Sequence, residues 1–162
     1  MALRNIREIG DDILTKKSKE VKEVTPKISE LIEDMLETMY AADGVGLAAP
    51  QVGILKRLAV VDISEEQDSP IVMINPVITY TEGEQRAIEG CLSVPGKAGY
   101  VTRPNIVRIK AFDRDMKEYE MEGEELLARA LIHEIEHLDG MLYVDKVEGG
   151  LKDVENLEDQ EA

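Results

Sequence analysis

Both histidines of the chain stand in HEIEHLDG, residues 133–140, four positions apart and with Glu134 beside the first. On a helix, side chains at i and i+4 lie one above the other, so His133 and His137 can direct ring nitrogens to a single point. Burying two imidazoles and a carboxylate inside the apolar run around them is costly unless their polar atoms find partners. A metal ion supplies one partner to both rings, and Glu134 can take a proton from water held there, which is the chemistry of a metallohydrolase. So short a pattern also arises by accident, on helices whose histidines are partly exposed and whose glutamates, here Glu134 and Glu136, belong to a solvated face. A catalytic tetrahedral site needs three protein ligands and an open fourth position, and the two histidines leave one ligand to be found.

Few residues can supply it. In the extended pattern HExxHxxGxxH the glycine falls on Gly140, but the last histidine falls on Tyr143. A glutamate from a following helix would have to be Glu148, Glu155 or Glu158, with little chain left to build that helix. Cys91, the only cysteine, is the better candidate; it lies in EGCLSVPG, residues 89–96, with turn chemistry on both sides. A lone cysteine is more often a small buried hydrophobe, and without a disulfide partner it reads as a plain thiol or as one kept reduced for chemistry. A third segment, GVGLAAPQVG at 44–53, has three glycines and a proline around small residues and presents Gln51 as a neutral amide donor. Taken alone it reads as a loop joining a helix to a strand, and it lacks the GKS or GKT ending of a phosphate loop.

These residues need elements to hold them. EELLARALIHEIEHLDG, residues 124–140, predicts a helix with Leu127, Ala130, Leu131 and Ile135 on one apolar stripe and Gly140 as its stop. An N-terminal helix starts in TPKISELIEDMLETMYAADG, residues 25–44: Thr25 caps it, Pro26 suits its first turn, and Ile28, Leu31, Ile32, Met35, Leu36 and Met39 recur at helical spacing until Gly44. Between the helices, the runs at 57–63, 71–80, 105–113 and 118–123 read as strands of hairpins and meanders. One helix, many strands and another helix point to an α+β fold.

At 162 residues the chain suits one domain with a sizeable core. The expected organisation is a single catalytic domain over 1–150 and a short acidic tail over 151–162, the latter read as a fraying helix. An apolar fraction of 43% and a charged fraction of 33% are ordinary for a soluble protein, and no apolar run approaches the ~18 residues of a membrane span. MALRNIREIG is charged from its fourth residue and offers no apolar signal core. With a single reduced cysteine, these features predict a cytoplasmic protein with no membrane partner. The net charge of −15 argues against direct nucleic-acid binding, which rests on Lys and Arg neutralising phosphates, and reads as a solvated surface.

In this order and at these separations, GVGLAAPQVG, EGCLSVPG and HEIEHLDG resemble the three signature motifs of the bacterial peptide deformylases, and the likeness runs from the helix at 26 to Tyr143 and a little beyond. HExxH alone is shared by many metalloproteases, whereas the three together are highly specific. The resemblance implies three small antiparallel sheets around a central helix carrying HExxH. It also implies hydrolysis of the N-formyl group from the formyl-methionine of nascent polypeptides, with release of formate and transient proximity to the ribosome. The rivals are a different HExxH metallopeptidase or amidase, and a catalytically silent metal-binding module; a silent module would need neither Glu134 nor Gln51.

Carried over position by position, the family's metal ligands fall on Cys91, His133 and His137, and its general base falls on Glu134. Its oxyanion donors fall on the Gln51 side-chain amide and the Leu92 backbone N–H, and Gly46 matches the residue whose backbone lines the substrate cleft. The implied cofactor is one divalent ion, ferrous iron as the working metal, with zinc, nickel or cobalt able to occupy the same ligands. A thiolate ligand suits such soft or borderline ions. Two expectations are separate from the resemblance. Glu89 and Arg103 either bridge and brace the segment carrying Cys91 or are unconnected surface charges, and Val45, Leu127 and Ala130 are candidates for an apolar pocket for the methionine side chain. An acidic tail puts a direct tail contact with ribosomal RNA in doubt.

Overall fold

The Thr25 hydroxyl accepts the Ile28 N–H at 3.2 Å, and Pro26 occupies the first turn, where no helical N–H partner exists. The resulting helix α1 spans Pro26–Ala41 in a computed structural model that describes residues 2–154. Its end is made by Asp43 in the left-handed region, φ +55°, rather than by Gly44. The N–H groups of Asp43 and Gly44 return to the carbonyls of Tyr40 at 3.1 Å and Met39 at 3.0 Å, which closes the last turn.

The chain continues through β1 (Gly46–Ala48), β2 (Leu58–Val61), β3 (Ile71–Glu82), β4 (Gln85–Cys91), β5 (Val94–Arg103), β6 (Ile106–Phe112), β7 (Glu118–Glu124), α2 (Leu126–Leu138) and β8 (Glu148–Asp153). The fold is α+β, as the sequence predicts, and HExxH lies on α2. Strands β2, β3, β6 and β7 are the four runs read from the sequence; β1, β4, β5 and β8 were not anticipated. Residues 151–153 are strand, not the expected fraying helix, and the strand passes the point at which the sequence reading begins the tail. Past Val154, the remainder of that tail, 155–162, lies outside the described residues.

Among the described residues the strands form two antiparallel sheets, ordered β1-β2-β3-β6-β7 and β4-β5-β8, where the resemblance implied three. The reason is the length of β3. Its first residues, Ile71 to Ile74, pair with β2 and its later ones, Val77 to Glu82, pair with β6, with a register shift between Ile74 and Val77. Asn75 sits at that shift with φ +52°, and its side-chain amide accepts the Val21 N–H at 2.9 Å and donates to the Val21 carbonyl at 2.8 Å. Two small sheets are thereby fused into one bent sheet.

Strand β2 is buried on both faces. Leu58 and Val60 share a core with Ile32, Met35 and Met39 of α1, whereas Ala59 and Val61 share one with Leu131, Ile135 and Leu138 of α2. Period-two alternation thus serves two cores, with the helices on opposite faces of the sheet. Helix α2 is buried at every residue from Ala128 to Leu138. Among the described residues, no helix is long and apolar enough to cross a membrane.

Gly140 ends α2 with φ +77°, and a Cβ there would lie 2.5 Å from the Thr15 carbonyl oxygen. Both the backbone conformation and the contact require glycine. Gly140→Ala should lower stability by about 2 kcal/mol or more in denaturant unfolding; an unchanged midpoint would show that the Thr15 segment yields freely.

Candidate active site

Three segments meet over the middle of α2. The ring nitrogens His133 Nε2 and His137 Nε2 are 3.1 Å apart, and Cys91 Sγ is 3.4 Å from His137 Nε2. All three candidate ligand atoms lie within 4.8 Å of one another. Tetrahedral coordination at ordinary metal–nitrogen and metal–sulfur lengths places such atoms about 3.3 Å and about 3.5 Å apart, close to the two distances that His137 makes, so one thiol and two imidazoles suit a single ion. Cys91 reaches this position because it closes β4: Cys91 pairs with Val94, and Leu92 and Ser93 form the two-residue turn into β5.

Glu134 is buried between α2 and β1. A Cβ on residue 46 would lie 2.3 Å from Glu134 Oε2, so only glycine lets the strand pass this close to the carboxylate. Its other oxygen, Oε1, is buried without a hydrogen-bond partner among the described residues. Burial pushes the Glu134 carboxyl up to about 7, with the Glu89 charge adding to the rise against the opposing effect of His133. A carboxylate with a free oxygen and a raised affinity for a proton, next to a donor set for a metal, is suited to taking a proton from water.

Gln51 is buried at the start of the same cleft. Its Oε1 accepts the Ala48 N–H at 2.9 Å, which orients the amide so that Nε2 points to Ser93 Oγ at 3.0 Å and Cys91 Sγ at 3.5 Å. Gln51, Leu92, Val45, Gly46, Cys91 and Glu134 all line a cavity of about 400 Å³. Beside Arg129, His133 and Glu134, α2 gives the cavity two apolar lining residues, Leu126 and Ala130. Leu127, proposed from the sequence, is turned instead into the core against Gly123, one position round the helix from the exposed Leu126.

Glu89 and Arg103 are bridged as one sequence reading has it, and both are buried. Arg103 donates from Nε to Glu89 Oε1 at 2.7 Å and from Nη2 to Oε2 at 2.6 Å. Glu89 Oε2 also meets His133 Nδ1 at 2.6 Å, which leaves Nε2 of that ring to face the donor cluster. Burial alone would raise the Glu89 carboxyl, but hydrogen bonds from Arg103 and His133 outweigh it and hold the group well below the usual carboxylate range. Burial likewise opposes charge on His133, yet Glu134, Cys91 and Glu89 together raise it well above an ordinary histidine. His137 is held well below that value by burial and by its neighbour His133.

The sequence reading missed the rest of this network. Arg129 Nη1 donates to Glu89 Oε1 at 2.8 Å, and Glu136 Oε1 accepts from Arg103 Nη1 at 2.7 Å while its Oε2 pairs with Lys146 at 2.7 Å. Arg129 lies four residues before His133, and Glu136 three after it; that spacing puts all three on one side of α2 and was the available signal. Tyr143, where the extended pattern wants a third histidine, is buried with its ring 5.8 Å from that of His133. Glu148, a rival third ligand, is in β8 and bound to Arg86 at 2.9 Å; Glu155 and Glu158 lie outside the described residues.

Comparison with known proteins gives the same answer by another route: the family model of the polypeptide deformylases matches residues 3–152. The chain belongs to the polypeptide deformylase family. It is 63% identical over 161 residues to the peptide deformylase of Lachnoclostridium phytofermentans, covering 99% of each chain, and 65% identical to that of Agathobacter rectalis, covering 99% of this chain and all of the other. A solved peptide deformylase from Legionella pneumophila superposes with a TM-score of 0.88 at 46% identity, over 91% of this chain and 87% of that one. All three motif segments fall inside the matched region. Deformylases are metal-dependent hydrolases, and Cys91, His133 and His137 form a possible metal site in this member.

Glu89 is the shared acceptor of two buried guanidinium groups and an imidazole. Glu89→Ala strands those donors and should cost about 3–5 kcal/mol of stability in thermal or denaturant unfolding. A variant as stable as the parent would mean that water replaces the carboxylate without loss.

Proposed function

We propose that this chain carries out the deformylase reaction at the cavity over α2, hydrolysing the N-formyl group from the formyl-methionine of nascent polypeptides and releasing formate. The observation that carries the proposal is the convergence of Cys91 Sγ, His133 Nε2 and His137 Nε2 on one point, with Cys91, His133, Glu134 and Gln51 lining one cavity. Cys91, His133 and His137 would hold one divalent ion, ferrous iron in the working enzyme, with zinc, nickel or cobalt fitting the same donors. When bound, the ion supplies Lewis acidity and makes hydroxide available near neutral pH.

The protein's own groups do the remaining work. Glu134 takes the proton of the attacking water and delivers it to the departing amine, a role its partnerless Oε1 and raised proton affinity favour. As the formyl carbon becomes tetrahedral, charge gathers on its oxygen, where the Gln51 Nε2 amide and the Leu92 backbone N–H donate; a donor of this kind lowers a barrier by about 3 kcal/mol. Val45 and the Gly46 backbone line the cleft for the substrate, with Leu126 and Ala130 replacing the Leu127 and Ala130 pair expected from the sequence. Residues 1–150 form the single catalytic domain of this reading and 151–162 an acidic tail. The enzyme works in the cytoplasm, near the ribosome through its substrate and without direct binding to nucleic acid.

The test is formate release from a formyl-Met-Ala-Ser peptide by anaerobically purified, metal-analysed protein, beside Glu134→Ala of equal metal content. Release by the parent alone establishes reaction and base, and no release from fully metallated parent overturns the proposal. Iron-loaded enzyme should lose activity in air or peroxide and nickel-loaded enzyme should keep it, since a thiolate at a ferrous site is open to oxidation. Iron-loaded enzyme indifferent to peroxide would rule out ferrous iron on Cys91.

A further inference from the structure

The N-terminal arm makes one backbone hydrogen bond to each of the three segments that build the site. Arg7 N–H donates to the Gln51 carbonyl at 2.6 Å, Ile9 N–H to the Ser93 carbonyl at 2.8 Å, and Ser18 N–H to the Leu138 carbonyl at 2.8 Å. Gln51 carries the amide of the cleft, Ser93 follows Leu92 in the β4–β5 turn, and Leu138 follows His137. No other element, among the described residues, donates backbone hydrogen bonds to all three.

The arm is pinned at both ends. Ala2 N–H reaches Asp34 Oδ1 at 2.7 Å, Arg4 N–H reaches Thr38 Oγ1 at 2.9 Å, and the Arg4 guanidinium pairs with Asp34 at 2.9 Å. Beyond the buried Leu14, Lys19 N–H donates to the Leu55 carbonyl at 3.1 Å and its own carbonyl accepts Arg57 N–H at 2.8 Å. Between these anchors the side chains of Arg7 and Ile9 are exposed. Burial of apolar surface therefore does not hold this stretch; its hold is the pair of amides, at alternate residues as along a strand. What those amides grip is a pair already in contact, because Gln51 Nε2 donates to Ser93 Oγ at 3.0 Å.

We propose that residues 7–9 are a positioning strap: the Arg7 and Ile9 amides fix the separation between the Gln51 segment and the turn carrying Leu92, and with it the spacing of the two groups that donate to the formyl oxygen. The inference rests on the deformylase reading for its chemistry. Donors act on the developing charge only at the right separation, and a misplacement of about 1 Å costs up to about 100-fold in rate.

Ile9→Pro deletes the N–H that reaches Ser93, whereas Ile9→Ala keeps it. Both variants, at matched metal content and well below their melting temperatures, would be assayed on the formyl-Met-Ala-Ser peptide and by NMR of the Gln51 side-chain amide. Ile9→Pro should lower kcat about 10- to 100-fold with KM unchanged and move the Gln51 resonances toward those of a free amide; Ile9→Ala should do neither. Arg7→Pro against Arg7→Ala repeats the comparison on the Gln51 carbonyl and decides the matter if Ile9→Pro does not fold. Equal kcat and unmoved Gln51 resonances in folded proline and alanine variants overturn the strap. Parent protein that releases no formate counts against the deformylase reading alone, and the Gln51 resonances then decide the strap by themselves.

Discussion

A helix buried from Ala128 to Leu138 that carries two histidines, two glutamates and an arginine needs partners for most of its polar groups. For Arg129 and His133 that partner is one carboxylate that the helix does not itself contain. Glu89 of β4 accepts from Arg103, Arg129 and His133 at 2.6–2.8 Å. An uncompensated charge at such depth costs several kcal/mol, so the contacts of Glu89 favour the register in which β4 and β5 lie over the helix. The placement of Cys91 at the end of β4 follows from the same constraint, two residues further along the strand.

The second requirement is close approach. The site takes its parts from a strand edge, a hairpin turn and a helix that are far apart in sequence, and these can converge only where side chains make room. Gly46 provides the room on β1, since any Cβ there would strike Glu134. Gln51 is then held by its own loop, through Ala48, at the distance that lets its amide reach the turn.

The helices were legible because their signals are local: the Thr25 cap with Pro26, the apolar stripes, and Gly140. The three motifs were legible because HExxH, the single cysteine and the glycine-rich loop concentrate rare residue types. Strands β4 and β5 were not, because QRAIEGC and VPGKAGYVTR mix glycine, proline and charge, and the inward residues Glu89 and Arg103 are themselves charged, so no apolar alternation marks the buried face. Arg129 and Glu136 were passed over for a related reason. On an amphipathic pattern a charged residue reads as solvent-facing, and only the partner on another strand makes it an interior one. β1 was hidden by its three-residue length, and β8 by its paired glycines, which local propensity assigns to turns.

Strand β2 serves two cores at once, Leu58 and Val60 on the α1 side and Ala59 and Val61 on the α2 side. Neither helix can peel from the sheet without exposing a strand on which the other depends. The four residues LAVV therefore tie the two cores to one strand. For evolution this means that adjacent positions of β2 answer to different helices, so the strand as a whole is constrained from both faces.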